Sequence, residues 1–101
     1  MALWTVAASQ DAVGIVNHLD GQAPGLGSLF LAAVFQTEAV VDAQPQAFAV
    51  VHRPDKRRAI VHRPFAGYGL YYRVGARGPE ILAVLHLVRN PRWIGRTLAK
   101  R

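Results

Sequence analysis

The sequence predicts an α+β fold in a single domain over residues 1–101: an antiparallel β-sheet with an N-terminal strand, an α-helical hairpin packed on one face, and a short C-terminal helix. Three observations predict it. Apolar residues recur with a helical period from about residue 8 to residue 42. After Pro45 the pattern changes to short β-branched and aromatic runs separated by Gly and Pro. The chain has 101 residues, 51% of them hydrophobic, which is enough for one core and too little for two.

The elements follow in order. Leu3 to Ala7 reads as a first strand, because Leu, Trp, Thr and Val suit a pleated surface. Ser9 is placed to cap the first helix, with Asp11 in its first turn and Gly21 at its end. Ala8, Ala12, Ile15, Val16 and Leu19 form one stripe of that helix. Pro24 opens the second helix, whose stripe is Leu26, Leu29, Phe30, Ala33, Val34, Val40 and Val41, and Pro45 lies beyond its end. Few residues separate the helices, so they should form an antiparallel hairpin. Leu31 and Phe35 lie off the stripe and call for a covering partner. Phe48 to Val51 reads as a strand or extended loop, and Arg58–Phe65, Tyr68–Val74 and Glu80–Leu87 as three strands. Alternation puts Leu70, Tyr72 and Val74 against the helices and Gly69, Tyr71 and Arg73 on the opposite face. The last strand is apolar on both sides and should be covered on both. Asn90-Pro91 opens the C-terminal helix, Arg92–Ala99.

Composition narrows the function. There is no cysteine, which excludes disulfides, thiol catalysis and cysteine-ligated zinc and suggests a reducing cytoplasm. Every apolar run is interrupted by Asp, Gln, His or Gly, so no membrane span and no membrane partner are expected. The net charge of +6 is divided unevenly: residues 1–50 carry Asp11, Asp20, Glu38 and Asp42 and no Lys or Arg, and all 12 basic residues follow. A basic half of this kind attracts a polyanion or an acidic protein. Ser9 and Ser28 are the only serines and lie outside any nucleophile elbow; His18, His52, His62 and His86 show no metal-ligand spacing. No metal and no cofactor are expected. Arginine interleaved with Tyr68, Tyr71, Tyr72 and Trp93 remains, a combination suited to phosphate or carboxylate contacts and to stacking. His86 reads as a hydrogen-bonded core histidine and Trp93 as the anchor of the tail.

The run Arg57-Arg58-Ala59-Ile60-Val61-His62-Arg63-Pro64-Phe65, then Gly67-Tyr68-Gly69-Leu70-Tyr71-Tyr72-Arg73-Val74, then Ile81-Leu82-Ala83-Val84-Leu85-His86 with Arg89, Asn90, Pro91 and Trp93, resembles the RelE/ParE toxin superfamily of type II toxin–antitoxin systems. The resemblance covers nearly the whole chain. It implies a growth-inhibiting toxin neutralised by a cognate antitoxin protein. RelE-like members cut messenger RNA on the ribosome with basic side chains of the sheet. In this sequence Ile60 and His62 occupy the alternating basic positions, Gly69 stands where an arginine follows the first tyrosine, and no Tyr or His follows His86. Arg89 is the remnant of that set, with His62 as its possible substitute. The resemblance therefore favours the ParE-like branch, which stalls DNA gyrase and catalyses nothing itself, with ribosome-bound messenger RNA as the alternative target. It implies target contacts at Arg73, Arg89, Arg92 and Trp93, and antitoxin contacts at Leu31, Phe35, Arg58, Arg63 and Arg73. A basic nucleic-acid-binding module without toxicity is the reading from a different class.

Overall fold

The chain folds as β1 (Leu3–Trp4), α1 (Val6–Gln22), α2 (Leu26–Ala43), β2 (Val50–His52), β3 (Lys56–Ile60), β4 (Tyr68–Gly75), β5 (Gly78–His86) and α3 (Pro91–Ala99). The computed structural model describes residues 2–101. The strands make one sheet in the order β1-β5-β4-β3-β2. Neighbours from β2 to β5 pair antiparallel, and β1 alone runs parallel to β5. The α+β architecture is the expected one, with a hairpin on the sheet and a short terminal helix.

Several local expectations shift by a few residues, each for a physical reason. β1 is only two residues long, because Thr5 rather than Ser9 caps α1: its hydroxyl accepts the Ala8 N–H at 3.1 Å. Asp11 does not serve the first turn; its carboxylate reaches out to the Val84 N–H and to Arg101. Gly21 lies within α1, which continues to Gln22. Gly25 takes φ 87°, a left-handed conformation that glycine adopts freely, and starts α2. The hairpin is tight at Gly27, whose N–H donates to Asp20 Oδ1 at 2.8 Å. Leu29 and Val40, counted in the α2 stripe by sequence, are exposed. β3 ends at Ile60 rather than Phe65, because the chain turns through His62–Phe65 instead of continuing the ladder.

The hairpin covers the face that carries Leu70, Tyr72 and Val74, as alternation requires. Phe30, Val34, Val41, Leu70, Tyr72 and Ile81 are fully buried in this layer, with Leu26 and Val74 packed against it. Phe30 meets Phe65 and Tyr68 edge-on at 5.4 and 5.1 Å. By length and mean hydropathy (1.4) α2 could cross a bilayer, so the expectation that no run is long enough fails on those criteria. Its Phe30–Val41 face nevertheless packs on the sheet as a core helix, and it carries the buried Thr37 and Glu38. A bulge at Leu82 shifts the β4–β5 register, Tyr71 facing Ala83 and Tyr72 facing Ile81. Ile81 and Val84 therefore both reach the hairpin layer despite their odd and even positions.

The second face is closed as well, as a last strand apolar on both sides requires, and Tyr71 belongs to its core rather than to a stacking surface. Tyr71, Ala83, Leu85 and Leu98 form a smaller buried layer under α3, with Trp93 and Ile94 against it. Asn90 caps α3 by accepting the Arg92 N–H at 2.8 Å. At the other end Lys56, almost fully buried, donates Nζ to the Leu98 carbonyl, placing a cation at the negative end of the helix.

Tyr72 supplies a pH test of this packing. Its hydroxyl donates to the Pro45 carbonyl at 2.5 Å. Burial pushes the phenol above its ordinary value, with the Arg57 guanidinium pulling part of the way back. The fold thus favours the neutral phenol. That contribution is complete below the unfolded value of about 10 and is lost as pH climbs through the raised native value. The stability gap between wild type and Tyr72→Phe, measured by urea unfolding, is expected to narrow above pH about 10. A gap independent of pH would contradict the assignment.

Candidate functional site

A cleft of about 610 Å³ opens between α1, the paired ends of β4 and β5, and the start of α3. Its residues come from four parts of the chain. Helical spacing puts Asp11, Gly14, Ile15 and His18 along one side of α1. Register puts Tyr68 opposite His86, and their rings meet edge-on at 4.7 Å. The turn after β5 brings Arg89 over Trp93, its guanidinium carbon 4.7 Å from the ring centroid, a cation–π contact. The C-terminal Arg101 crosses the β5 edge and grips both Asp11 oxygens.

Hydrogen bonds fix the state of several groups. Asp11 is fully engaged: besides Arg101 it accepts the Val84 N–H at 3.1 Å, on an edge of β5 that β1 is too short to cover. Arg101 also donates to the Leu82 carbonyl at 3.1 Å, at the bulge. His86 Nδ1 accepts the Val88 N–H at 3.2 Å, so the neutral ring carries its proton on Nε2. The Gln22 amide nitrogen donates to His18 Nε2 at 3.2 Å. Arg89 is exposed and has no carboxylate partner among the described residues. The cleft therefore presents uncompensated positive charge, ring N–H and aromatic walls, which suit an anion or a planar group.

The structure brings together only part of what the sequence singled out. Arg89 and Trp93 share the cleft, and Arg92 lies exposed in the first turn of α3. Arg73 stands apart, paired across the strands with Glu80 at 2.6 Å. His62 does not line the cleft with Arg89; it is held against α2. The Thr37 hydroxyl donates to the Ala33 carbonyl and accepts both the His62 backbone N–H at 3.0 Å and its Nδ1–H at 2.9 Å. Leu31 is half-buried on α2, Phe35 is 56% exposed there, and Arg63 is exposed beside His62. Arg58 lies on the other face, opposite Tyr71, its aliphatic stem over Gly69. A side chain at Gly69 would start 3.1 Å from Arg58 Cδ and 3.0 Å from Leu87 Cδ2.

Tyr68, singled out with Trp93 among the arginine-interleaved aromatics, does line the cleft; sequence reading assigns no role there to His18 or Arg101 and places His86 in the core, whereas it is half-buried at the rim. Only the Gly14–His18 spacing on α1, which leaves a bare flank before a histidine, gave a local signal. No family model matches the chain, and a search of curated proteins finds no match.

Proposed function

We propose that the protein is the toxin of a type II toxin–antitoxin system, acting in the cytoplasm on DNA gyrase and neutralised by a cognate antitoxin. The observation that carries this reading is the condition of positions 60, 62 and 69. Ile60 is an exposed apolar side chain, His62 is tied to Thr37, and Gly69 is covered by the stem of Arg58. Stabilising a scissile phosphate needs several convergent cations, and losing one such contact costs on the order of a hundredfold in rate. These three positions supply none. Arg89, Arg92 and Trp93 remain at one corner as a basic, aromatic contact surface, the residue types that dominate protein interfaces. The test is induction in bacterial cells: growth arrest with DNA-damage signalling, relieved by co-expression of the neighbouring gene, is the expected result. Salt-sensitive DNA binding without arrest would support a plain nucleic-acid-binding module instead.

A second reading, ribosome-dependent cleavage of messenger RNA, draws on the cleft itself, where His86, Tyr68 and Arg89 lie together. Ribosome-dependent cuts that disappear with Arg89→Ala would select it.

The antitoxin is read as an acidic amphipathic segment on the hairpin side, where Phe35 is exposed and Arg63, next to the α2-bound His62, is exposed as well. Arg73 is committed to Glu80, and Arg58 faces the other way. Arg63→Glu is expected to weaken antitoxin affinity by about tenfold through like-charge repulsion, measured by calorimetry. Unchanged affinity would remove the electrostatic part of the contact.

A further inference from the structure

We infer that the chain pairs with a second copy of itself through the outward face of α2, the two helices antiparallel about a two-fold axis at Gln36. This goes beyond the gyrase reading and requires neither gyrase nor antitoxin. α2 buries Phe30, Val34 and Val41 against the sheet and leaves Leu29, Ala32, Gln36, Val40 and Ala43 exposed. Successive members of that exposed set are three, four, four and three residues apart, so they fall on one side of the helix. Leu29 is 61% exposed, far more than its place on a long apolar helix would lead one to expect. The stripe carries no charge: the acidic residues of α2 lie elsewhere, Glu38 buried and Asp42 half-buried.

Symmetry and charge select the occupant. The spacing reads the same in both directions from Gln36. Turning a second α2 antiparallel about that residue therefore lays Leu29 over Ala43, Val40 over Ala32, and Gln36 over its own copy. Each large side chain meets a small one, which lets the ridges of two helices interlock at an interaxial distance of about 8–10 Å. The two Gln36 amides each offer a donor and an acceptor, so they bond reciprocally across the axis and fix the register. Charge points the same way. The chain carries +6, and all 12 basic residues lie beyond residue 50, in the later strands, turns and α3. Neither α1 nor α2 contains a Lys or Arg, so two copies meeting there bring no helix cations together. The antitoxin contact rests instead on Phe35 and Arg63, and neither belongs to the stripe. A bilayer would select apolar surface but not a spacing symmetric about a polar residue. A contact confined to one helix face falls at the small end of specific interfaces, below about 1,200 Å² in total. The dimer is therefore weak, with a Kd on the order of 10 µM.

Sedimentation equilibrium of the purified full chain, across about 1 to 300 µM, tests the pairing. The expected result is a reversible monomer–dimer equilibrium. Ala32→Arg forces a cation against the partner's Val40 and is expected to weaken the dimer about tenfold or more. Ala32 is an exposed helix position, so the circular dichroism spectrum should stay unchanged. The chain has no cysteine, so introduced thiols read the register without background. On oxidation Gln36→Cys should cross-link to its own copy, because the axis brings the two positions together. Leu29→Cys should cross-link only when mixed with Ala43→Cys. A monomer throughout the concentration range, a dimer untouched by Ala32→Arg, or cross-linking of Leu29→Cys by itself would overturn the inference. Flotation with phosphatidylcholine vesicles runs in parallel: a monomer that floats with them and is released by Ala32→Arg would give the face to a bilayer and overturn the inference too. The chain is measured alone, so failure here leaves the gyrase reading standing, and failure of gyrase inhibition leaves the dimer standing.

Discussion

Phe30→Ala is expected to destabilise the protein by about 3–5 kcal/mol, the cost of emptying a large aromatic site in a packed core. Phe30 is fully buried on α2 and meets Phe65 and Tyr68 edge-on, so its loss removes two ring contacts together with the buried area. A domain of this size commonly has about 5–15 kcal/mol of stability in all, so the variant should sit near the unfolding threshold. The effect reaches the cleft as well. Tyr68 is held between Phe30 and His86, and without Phe30 the ring that positions His86 loses its backing. Urea unfolding measures the first consequence, and the His86 ring resonances report the second. A loss below about 1 kcal/mol would show that the layer collapses around the gap.

Arg89→Ala is expected to weaken gyrase inhibition about thirtyfold or more while leaving stability within about 0.5 kcal/mol. Truncating a central arginine at an interface commonly costs about 2 kcal/mol or more, whereas an exposed side chain without an ion pair contributes little to folding. Arg89→Lys should recover little, since an ammonium lacks the planar face that stacks on Trp93. Supercoiling assays across a concentration series, alongside thermal unfolding, check both halves. Equal loss of inhibition and of stability would make Arg89 a folding residue rather than a contact.

The residues that could be read in advance are those whose environment follows from local period. Leu70 and Tyr72 alternate with Gly69 and Tyr71, so the pleat assigns their faces before any partner is known. The long stripes of α1 and α2 and the Asn90-Pro91 start of α3 are similarly local. What escaped was decided at long range. Tyr71 and Lys56 are buried because α3 folds back over them, and nothing in β3 or β4 announces where a terminal helix will dock. Asp11 has the position of a first-turn carboxylate, yet the short β1 leaves the Val84 N–H uncovered and Arg101 nearby, and those tertiary partners take it. The bulge at Leu82 is hidden in a strand that is apolar on both faces. For the cleft, Arg89 and Trp93 were visible as a basic–aromatic motif, but His18 joins them only through the packing of α1 beside β5.

The most direct measurement is DNA supercoiling by purified gyrase in the presence of the purified protein, with translation of a reporter message by purified ribosomes run in parallel. The expected result is loss of supercoiling with accumulation of gyrase-bound cleaved DNA, and an intact message. Full supercoiling activity together with ribosome-dependent cuts in the message would contradict gyrase as the target and move the protein to the RNA-cleaving branch.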